Sequence, residues 1–137
     1  LFGLNLNTNK TGFAEWIINT AKDSKELGLF TDVLFTPISI WDLANEIEFL
    51  IKTDNINSEF LHIAGELCTK FEFGHMLLDK LNISTKTLSK SLISSFKDRA
   101  KRSNDQSLDS SHYIQKYKRK LPNLKQTILT LKSKLYE

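Results

Sequence analysis

Apolar residues recur at helical spacing near the start of the chain. A first helix is predicted to begin after Gly12 and to end near Gly28, because glycine commonly follows the last turn of a helix. Its apolar positions, which fall on one face, are Phe13, Trp16, Ile17 and Ala21. The next run, residues 29–35, is too short for periodicity to separate helix from strand, and both remain open.

Two further helices are predicted between residues 36 and 74. Thr36 is the predicted N-cap of the second helix, with Pro37 at the first helical position, where its missing N–H is harmless. This helix ends near Lys52, and its inward face is predicted to hold Ile40, Ala44, Ile47 and Ile51. The third helix ends at Gly74, and its apolar positions are Phe60, Ala64, Leu67 and Phe71.

Polar turns divide the next part of the chain. Residues 75–81 are predicted to form a short helix that Asn82 breaks. Ser84 or Thr85 then caps a longer helix, whose inward positions are Leu88, Leu92 and Phe96. Residues 103–111 contain a single apolar residue and are predicted to be a mobile loop.

The end of the chain carries a leucine-rich stripe. After a helical segment at residues 112–120, Pro122 is predicted to open a last helix. The candidate oligomerisation residues on its apolar stripe are Leu124, Ile128, Leu131 and Leu135. This rhythm lasts about two heptads, which suits either a helix that docks on its own core or a short seam with a second copy. Both interpretations remain open.

Together these elements predict an all-α fold, a compact bundle of about five to seven helices with room for one short strand pair. At 137 residues the chain has the usual size of one domain, so residues 1–137 are predicted to form a single helical domain. Because Leu1 is not a methionine, we expect this domain to be a fragment of a longer protein. No apolar run approaches the roughly 20 residues that span a bilayer, so no membrane partner is expected.

Charge divides the chain into an acidic and a basic half. Residues 1–68 hold 4 Lys+Arg and 10 Asp+Glu, a net charge of −6, whereas residues 69–137 hold 15 and 6, a net charge of +9. A basic surface of this kind favours a polyanionic partner such as a nucleic acid. Alternatively, the two halves neutralise each other by packing together.

The sign of the charge changes close to a stretch that resembles a known element. Residues 77–92 resemble the helix-turn-helix of bacterial and phage DNA-binding proteins. In that resemblance Leu77 and Leu81 form the buried face of the first helix, and Asn82 takes the left-handed turn position that is usually glycine. One position departs from the pattern, since Leu78 stands where the family usually has alanine.

The resemblance implies that the start of the second helix enters the major groove of DNA. The residues that it assigns to base and phosphate contact are Thr85, Lys86, Ser89 and Lys90. Further basic residues along the same helix would extend the contact, namely Lys97, Arg99, Lys101 and Arg102. A second basic cluster with interleaved tyrosines adds the candidates Lys116, Lys118, Arg119 and Lys120.

Patterns that carry catalysis or hold a cofactor are missing from the sequence. The five glycines are isolated, so no glycine-rich phosphate loop is predicted, and no cofactor is expected. We find no convincing catalytic or metal site, and the chain is predicted not to be an enzyme. The single cysteine, Cys68, excludes an internal disulfide and favours an intracellular location, cytoplasmic or nuclear.

The leading functional hypothesis is a nucleic-acid-binding domain, with DNA favoured over RNA, from a regulatory or DNA-processing protein. Its main contact element would be the basic helix at residues 85–102. The alternative hypothesis is a helical module for protein–protein interaction or oligomerisation through the last helix, with no role in nucleic-acid binding.

Overall fold

Helices and short strands alternate along most of the chain in the computed structural model, which describes residues 1–5, 10–53, 60–96 and 103–136. The elements in chain order are α1 (Phe13–Lys22), β1 (Leu27–Phe30), β2 (Leu34–Phe35), α2 (Ile40–Ile51), β3 (Cys68–Thr69), α3 (Lys70–Lys80), β4 (Leu88–Ser91), β5 (Asp105–Gln106), α4 (Ser111–Tyr117) and α5 (Leu124–Leu135). A 3₁₀ turn, Ile93–Ser95, follows β4.

The strands form two small sheets that join distant parts of the chain. In the first sheet β1 and β4 run parallel, with Leu27 opposite Leu88 and Phe30 opposite Ser91. In the second sheet β2 lies between antiparallel β3 and parallel β5. The all-α prediction is therefore wrong, because parallel pairing over some 60 residues of sequence is a tertiary contact that no local pattern reports. The same pairing interleaves the acidic and basic halves of the sequence.

The core is built around α3. Phe73, Leu77 and Leu78 on this helix are fully buried. They pack with residues of α1, β1 and α5, including Ile17, Leu27, Ile128 and Leu131. The start of α3 is set by a capping box, in which the Thr69 hydroxyl accepts from the Glu72 N–H and the Glu72 carboxylate accepts from the Thr69 N–H.

Helix α2 carries two hydrogen-bonded carboxylates, Asp42 and Glu46, on its inward side, together with the half-buried ring of Trp41. Its N-cap is Ser39, not the predicted Thr36, and the Ser39 hydroxyl accepts from the Asp42 N–H. Asp42 also accepts hydrogen bonds from Thr127 at 2.6 Å and Thr130 at 3.1 Å on α5. The face predicted to point inward instead carries exposed side chains at Ile40, Ala44, Ile47 and Ile51.

A buried carboxylate fixes the middle of α2. Glu46 is only 6% exposed and receives two hydrogen bonds from Arg119, one from Nε at 2.8 Å and one from Nη2 at 2.9 Å. The hydroxyl of Tyr113, which is fully buried, donates to the same carboxylate at 2.5 Å. The Arg119 guanidinium also lies 4.2 Å from the ring centre of Phe49. Arg119 therefore serves to join α2 to the segment after α4.

The helix-turn-helix prediction fails at its second helix. Residues 77–81 do end a helix, α3, and Asn82 adopts the predicted left-handed conformation with φ of 56°. Residues 88–91, however, form β4, because their backbone pairs with β1. Asn82 therefore serves as the residue that follows a helix C-cap, which is a common use of left-handed asparagine.

The predicted third helix is also misplaced. Residues 60–67 contain neither helix nor strand, and α3 begins only at Lys70. Residues 75–81, predicted as a separate short helix, belong mostly to α3. For residues 29–35 the sequence left helix and strand undecided, and the structure shows strands there, the end of β1 and all of β2.

Other local predictions are correct only in part. Helix α1 begins after Gly12, although it ends at Lys22 and Gly28 lies in β1. Helix α4 begins one residue before the predicted helical segment 112–120 and ends inside it, whereas α5 lies within the predicted last helix. Asn123 caps α5 with Gln126 in a capping box. The segment at residues 103–111, predicted to be a loop, contains β5.

The leucine-rich stripe of α5 packs on this chain's own core. Leu124, Ile128 and Leu131 are buried, and Leu135 is partly buried against the same cluster. Their side chains are thus used inside the domain rather than offered to a second copy. Within the described ranges no helix is both long and apolar enough to cross a bilayer.

We expect the Glu46→Gln variant to lose roughly 2 kcal/mol of unfolding free energy at pH 7, because the Arg119 guanidinium then faces a neutral amide instead of a carboxylate. The hydrogen bonds from Arg119 and, secondarily, Tyr113 hold the pKa of Glu46 below its usual value. The ionised form therefore stabilises the fold above that usual value, and this contribution disappears as pH falls through the lower, folded-state pKa. Urea unfolding at pH 7, 5, 4 and 3.5 measures both effects.

The matched control is Glu48→Gln on the same helix, whose exposed carboxylate pairs with Lys52 and which should change stability little. Wild-type protein should lose stability on acidification more steeply than Glu46→Gln. Parallel pH profiles for these two proteins would contradict the assignment of Glu46 as a buried, ionised anchor.

Candidate functional site

A cleft of about 650 Å³ opens between the first sheet, α1 and the start of α3. Its lining comes from segments far apart in sequence, comprising Phe13, Trp16, Gly28, Leu29, Phe30, Val33, Lys70, Ile93, Phe96 and Gln106. This volume falls within the roughly 300–1,000 Å³ that small-molecule sites usually occupy. The combination of mainly apolar walls with few polar groups is also typical of such sites.

Aromatic rings stand on two sides of the cleft. On α1 the rings of Phe13 and Trp16 stack with centres 6.0 Å apart. Across the cleft Phe30 of β1 meets Phe96 edge-to-face at 5.5 Å. Trp16 and Phe96 remain more than 40% exposed, so each ring offers a face to a ligand. Flat rings of this kind suit a planar heterocycle.

Lys70 places a positive charge beside these rings. Its Nζ lies 3.4 Å from the ring centre of Phe35 and 5.0 Å from that of Phe13. The Lys70 N–H donates to the Val33 carbonyl oxygen at 3.1 Å, which ties the first turn of α3 to the loop after β1. Partial burial lowers the pKa of Lys70 from its usual value. The ammonium is thus incompletely hydrated and suited to an anionic group.

Two local features position the walls of the cleft. A Cβ added at Gly28 would lie 2.7 Å from the Ser91 hydroxyl, so the absence of a side chain lets β1 and β4 approach. At the other end the Asp32 carboxylate accepts from the Ile93 N–H at 2.9 Å. This bond anchors the 3₁₀ turn that leads to Phe96.

The described residues predicted to contact nucleic acid lie elsewhere. Thr85 and Lys86 belong to the turn before β4, Ser89 and Lys90 to the strand itself. Lys90 has its Nζ 5.4 Å from the Phe71 ring. Lys97, Arg99, Lys101 and Arg102 fall outside the described residues.

The second predicted cluster also stays away from the cleft. Lys116, Lys118 and Lys120 are exposed at and beyond the end of α4. Arg119 does not share their surface role, because it binds Glu46. None of the predicted residues that the structure describes lines the cleft.

Known proteins share both the sequence family and the fold of this chain. A family model described as the RmlD substrate binding domain matches residues 3–136. The chain belongs to this family. No curated protein matches it in sequence.

Solved structures similar to the RmlD-family chain are nucleotide-sugar enzymes. A dTDP-4-dehydrorhamnose reductase from Bacillus anthracis in complex with NADP superimposes with a TM-score of 0.82 at 18% identity, covering 97% of this chain and 45% of the other. A reductase from Clostridium acetobutylicum gives 0.79 at 21% identity, covering 94% and 45%. A dTDP-glucose 4,6-dehydratase from Bacillus anthracis with NAD gives 0.66 at 13% identity, covering 95% and 40%. This chain spans less than half the length of these proteins.

These similarities overturn the functional hypotheses drawn from the sequence. The prediction of a DNA-binding helix-turn-helix domain with a nucleic-acid partner is wrong, because the chain belongs to a family of substrate-binding domains. The alternative prediction, a module for protein interaction or oligomerisation alone, is wrong for the same reason. The prediction that the chain is not part of an enzyme is wrong as well, since the similar structures are two reductases and a dehydratase. The matching folds contain strands, in agreement with the sheets described above.

Sequence reasoning missed the cleft because its residues are scattered. Phe13 and Trp16 are one helical turn apart and were read as core positions, whereas their rings border the cleft. One local signal in the sequence does indicate where α3 begins. Thr69 and Glu72 match a capping box, which places the start of a helix, and with it Lys70, at the correct position.

We expect Cys68, two residues before Lys70, to resist thiol reagents in the folded protein. Burial, with a smaller effect from nearby Glu72, raises the pKa of this thiol to about 12. Thiolate is the reactive form, so at pH 8 almost none is present. Ellman's reagent should react with one thiol in 6 M guanidinium chloride and far more slowly in buffer. Equal rates in the two solutions would contradict the buried position.

Proposed function

We propose that this chain is the substrate-binding part of a nucleotide-sugar enzyme of the dTDP-sugar reductase type, and that its cleft binds the nucleoside diphosphate portion of the substrate. The observation that carries the proposal is the pairing of aromatic walls with one partly buried lysine in a single cleft. The family and the reductases of similar fold support the same chemistry.

Different cleft residues would bind different parts of such a ligand. The exposed faces of Trp16 and Phe96 offer stacking surfaces for a pyrimidine ring. Lys70 offers a charge-assisted hydrogen bond to a phosphate oxygen, since it lies on the edge of the same cleft. The role of these residues is to bind and orient the substrate, with the sugar carried away from the aromatic walls.

The residues present do not fit a dinucleotide cofactor. Such a cofactor is held by a glycine-rich turn between a parallel strand and a helix. Among the described elements, β2 leads into α2 through residues 36–39, and β5 leads into α4 through residues 107–110, neither of which contains glycine. We therefore assign no cofactor-binding role to the residues that the structure describes.

Two expectations from the sequence remain proposals. The first is that residues 1–137 form one domain, now with α/β rather than all-α architecture. The intracellular location inferred from the single cysteine also remains a prediction.

Calorimetric titration of the chain with dTDP and with thymidine tests the proposal. We expect both to bind, with dTDP tighter because of its phosphates. The Lys70→Met variant keeps the apolar stem but removes the charge, and should weaken dTDP binding about 10- to 100-fold while leaving thymidine binding unchanged.

Lys86→Met is the matched control, because Lys86 is exposed in a turn outside the cleft. Its dTDP affinity should equal that of the wild type. The proposed function fails if millimolar dTDP gives no binding heat, or if Lys70→Met and Lys86→Met bind dTDP equally well.

A further inference from the structure

The turn between β1 and β2, residues 31–33, is bonded to both walls of the cleft. The Thr31 N–H donates to the Ser91 carbonyl oxygen at 3.0 Å, which continues the parallel pairing of β1 with β4 by one residue. The Val33 carbonyl oxygen accepts from the Lys70 N–H at 3.1 Å at the start of α3. The turn is therefore held at both ends, and this fixes the backbone between them.

Asp32, in the middle of this turn, is bonded to the segment that follows β4. Its carboxylate accepts from the Ile93 N–H, with Oδ1 at 2.9 Å and Oδ2 at 3.2 Å from the nitrogen. Ile93 is the first residue of the 3₁₀ turn, so its N–H has no acceptor within the turn itself. The preceding residue is Leu92, whose hydrocarbon side chain cannot cap. Asp32 thus supplies, from 61 residues away, the acceptor that a capping side chain normally provides.

The position of the Phe96 ring follows from that bond. Inside the turn the Ser95 N–H donates to the Leu92 carbonyl oxygen and the Phe96 N–H donates to that of Ile93, both at 3.1 Å. The Phe96 ring then meets the ring of Phe30 edge-to-face. Because Phe96 is 45% exposed, apolar packing holds its ring less firmly than it holds a buried one. The bond to the turn therefore matters more for this ring than for one inside the core.

Asp32 itself is not among the described residues that line the cleft, although its neighbour Val33 and its partner Ile93 both are. A side chain that does not touch a ligand still changes affinity when it fixes a group that does. Displacements of about 1 Å in such a group are enough to cost a large part of its contribution. Stacking of a base on one aromatic ring is worth roughly 1–3 kcal/mol, so a misplaced ring has a measurable effect.

We propose that Asp32 is a positioning residue for nucleoside binding, which holds the Phe96 ring in place as a stacking wall through its bond to the Ile93 N–H. This inference rests on the proposed function, because it assumes that the base of the ligand stacks in this cleft. The Lys70 ammonium contacts the rings of Phe13 and Phe35 instead. Loss of the Asp32 carboxylate should therefore weaken the contact with the base and leave the contact with the phosphates unchanged.

Calorimetric titration with thymidine and with dTDP tests this role. Asp32→Ala should bind thymidine about tenfold more weakly than the wild type, the loss expected from one charge-assisted hydrogen bond. Its affinity for dTDP should fall by the same factor, so the ratio of the two affinities stays at the wild-type value. Asp32→Asn keeps an oxygen acceptor and should remain within about threefold of the wild type. Thymidine affinity of Asp32→Ala within about twofold of the wild type overturns the proposal.

Combination with Phe96→Ala separates positioning from a general loss of stability. If Asp32 acts through the ring, Asp32→Ala should weaken thymidine binding in the wild type and change it little once the ring is absent. An equal loss in both backgrounds overturns the proposal, because the carboxylate then acts without the ring. Asp79→Ala is the matched control, since it removes an exposed carboxylate that pairs with Lys80 outside the cleft, and it should bind thymidine as the wild type does.

A reciprocal variant removes the donor and leaves the carboxylate in place, so the test does not depend on how well Asp32→Ala folds. Proline is compatible with position 93, because this is the first residue of the 3₁₀ turn and the preceding Leu92 is extended, with φ of −114° and ψ of 136°. Ile93→Val is the matched control, since it has a side chain of similar size and keeps the N–H. Ile93→Pro should bind thymidine about tenfold more weakly than Ile93→Val, and equal affinities overturn the proposal.

Failure of this inference and failure of the proposed function give different results. If the wild type binds dTDP and Lys70→Met weakens that binding, while Asp32→Ala and Ile93→Pro bind thymidine normally, the positioning role is wrong and the cleft assignment stands. If the wild type binds neither thymidine nor dTDP, the proposed function fails and this inference fails with it.

Discussion

The rest of this structure depends on the ring contacts that the fully buried Phe73 makes. Its ring meets those of Phe2, Phe13 and Phe35 at centre distances between 5.1 and 5.8 Å. These contacts bring the start of the chain, α1 and β2 together around α3. They also place Phe13 and Phe35 where both rings face the Lys70 ammonium. The position of the charged group in the cleft is therefore a consequence of how the core packs.

Helix α2 is held in place largely by hydrogen bonds, whereas the core is held by apolar packing. Its hydrogen-bonded carboxylates, Asp42 and Glu46, fix it to α5 and Arg119, so electrostatic contacts determine which way it faces. On the opposite side of the helix Ile47 and Ile51 remain exposed.

Local rules in the sequence were reliable where an element depends on its own residues. They placed the start of α1 after Gly12, the segments that contain α4 and α5, and the left-handed turn at Asn82. They failed at β4, where the four-residue spacing of Leu88, Leu92 and Phe96 predicted a helix. Its strand conformation comes from parallel pairing with β1, some 60 residues earlier. The basic cluster near the end of α4 was misleading at one position, because Arg119 binds a buried carboxylate.

The sequence by itself determined the helices with clear caps, the turn residues and the apolar positions of α5, because each depends on neighbours within one or two turns. Only the tertiary structure decided the sheets, the inward side of α2 and the cleft. Strand partners and cleft walls such as Phe30 and Phe96 are brought together by chain folding, and their separation in sequence carries no periodic signal. For α2 the local amphipathic pattern was real, but it described a face turned away from this domain's core.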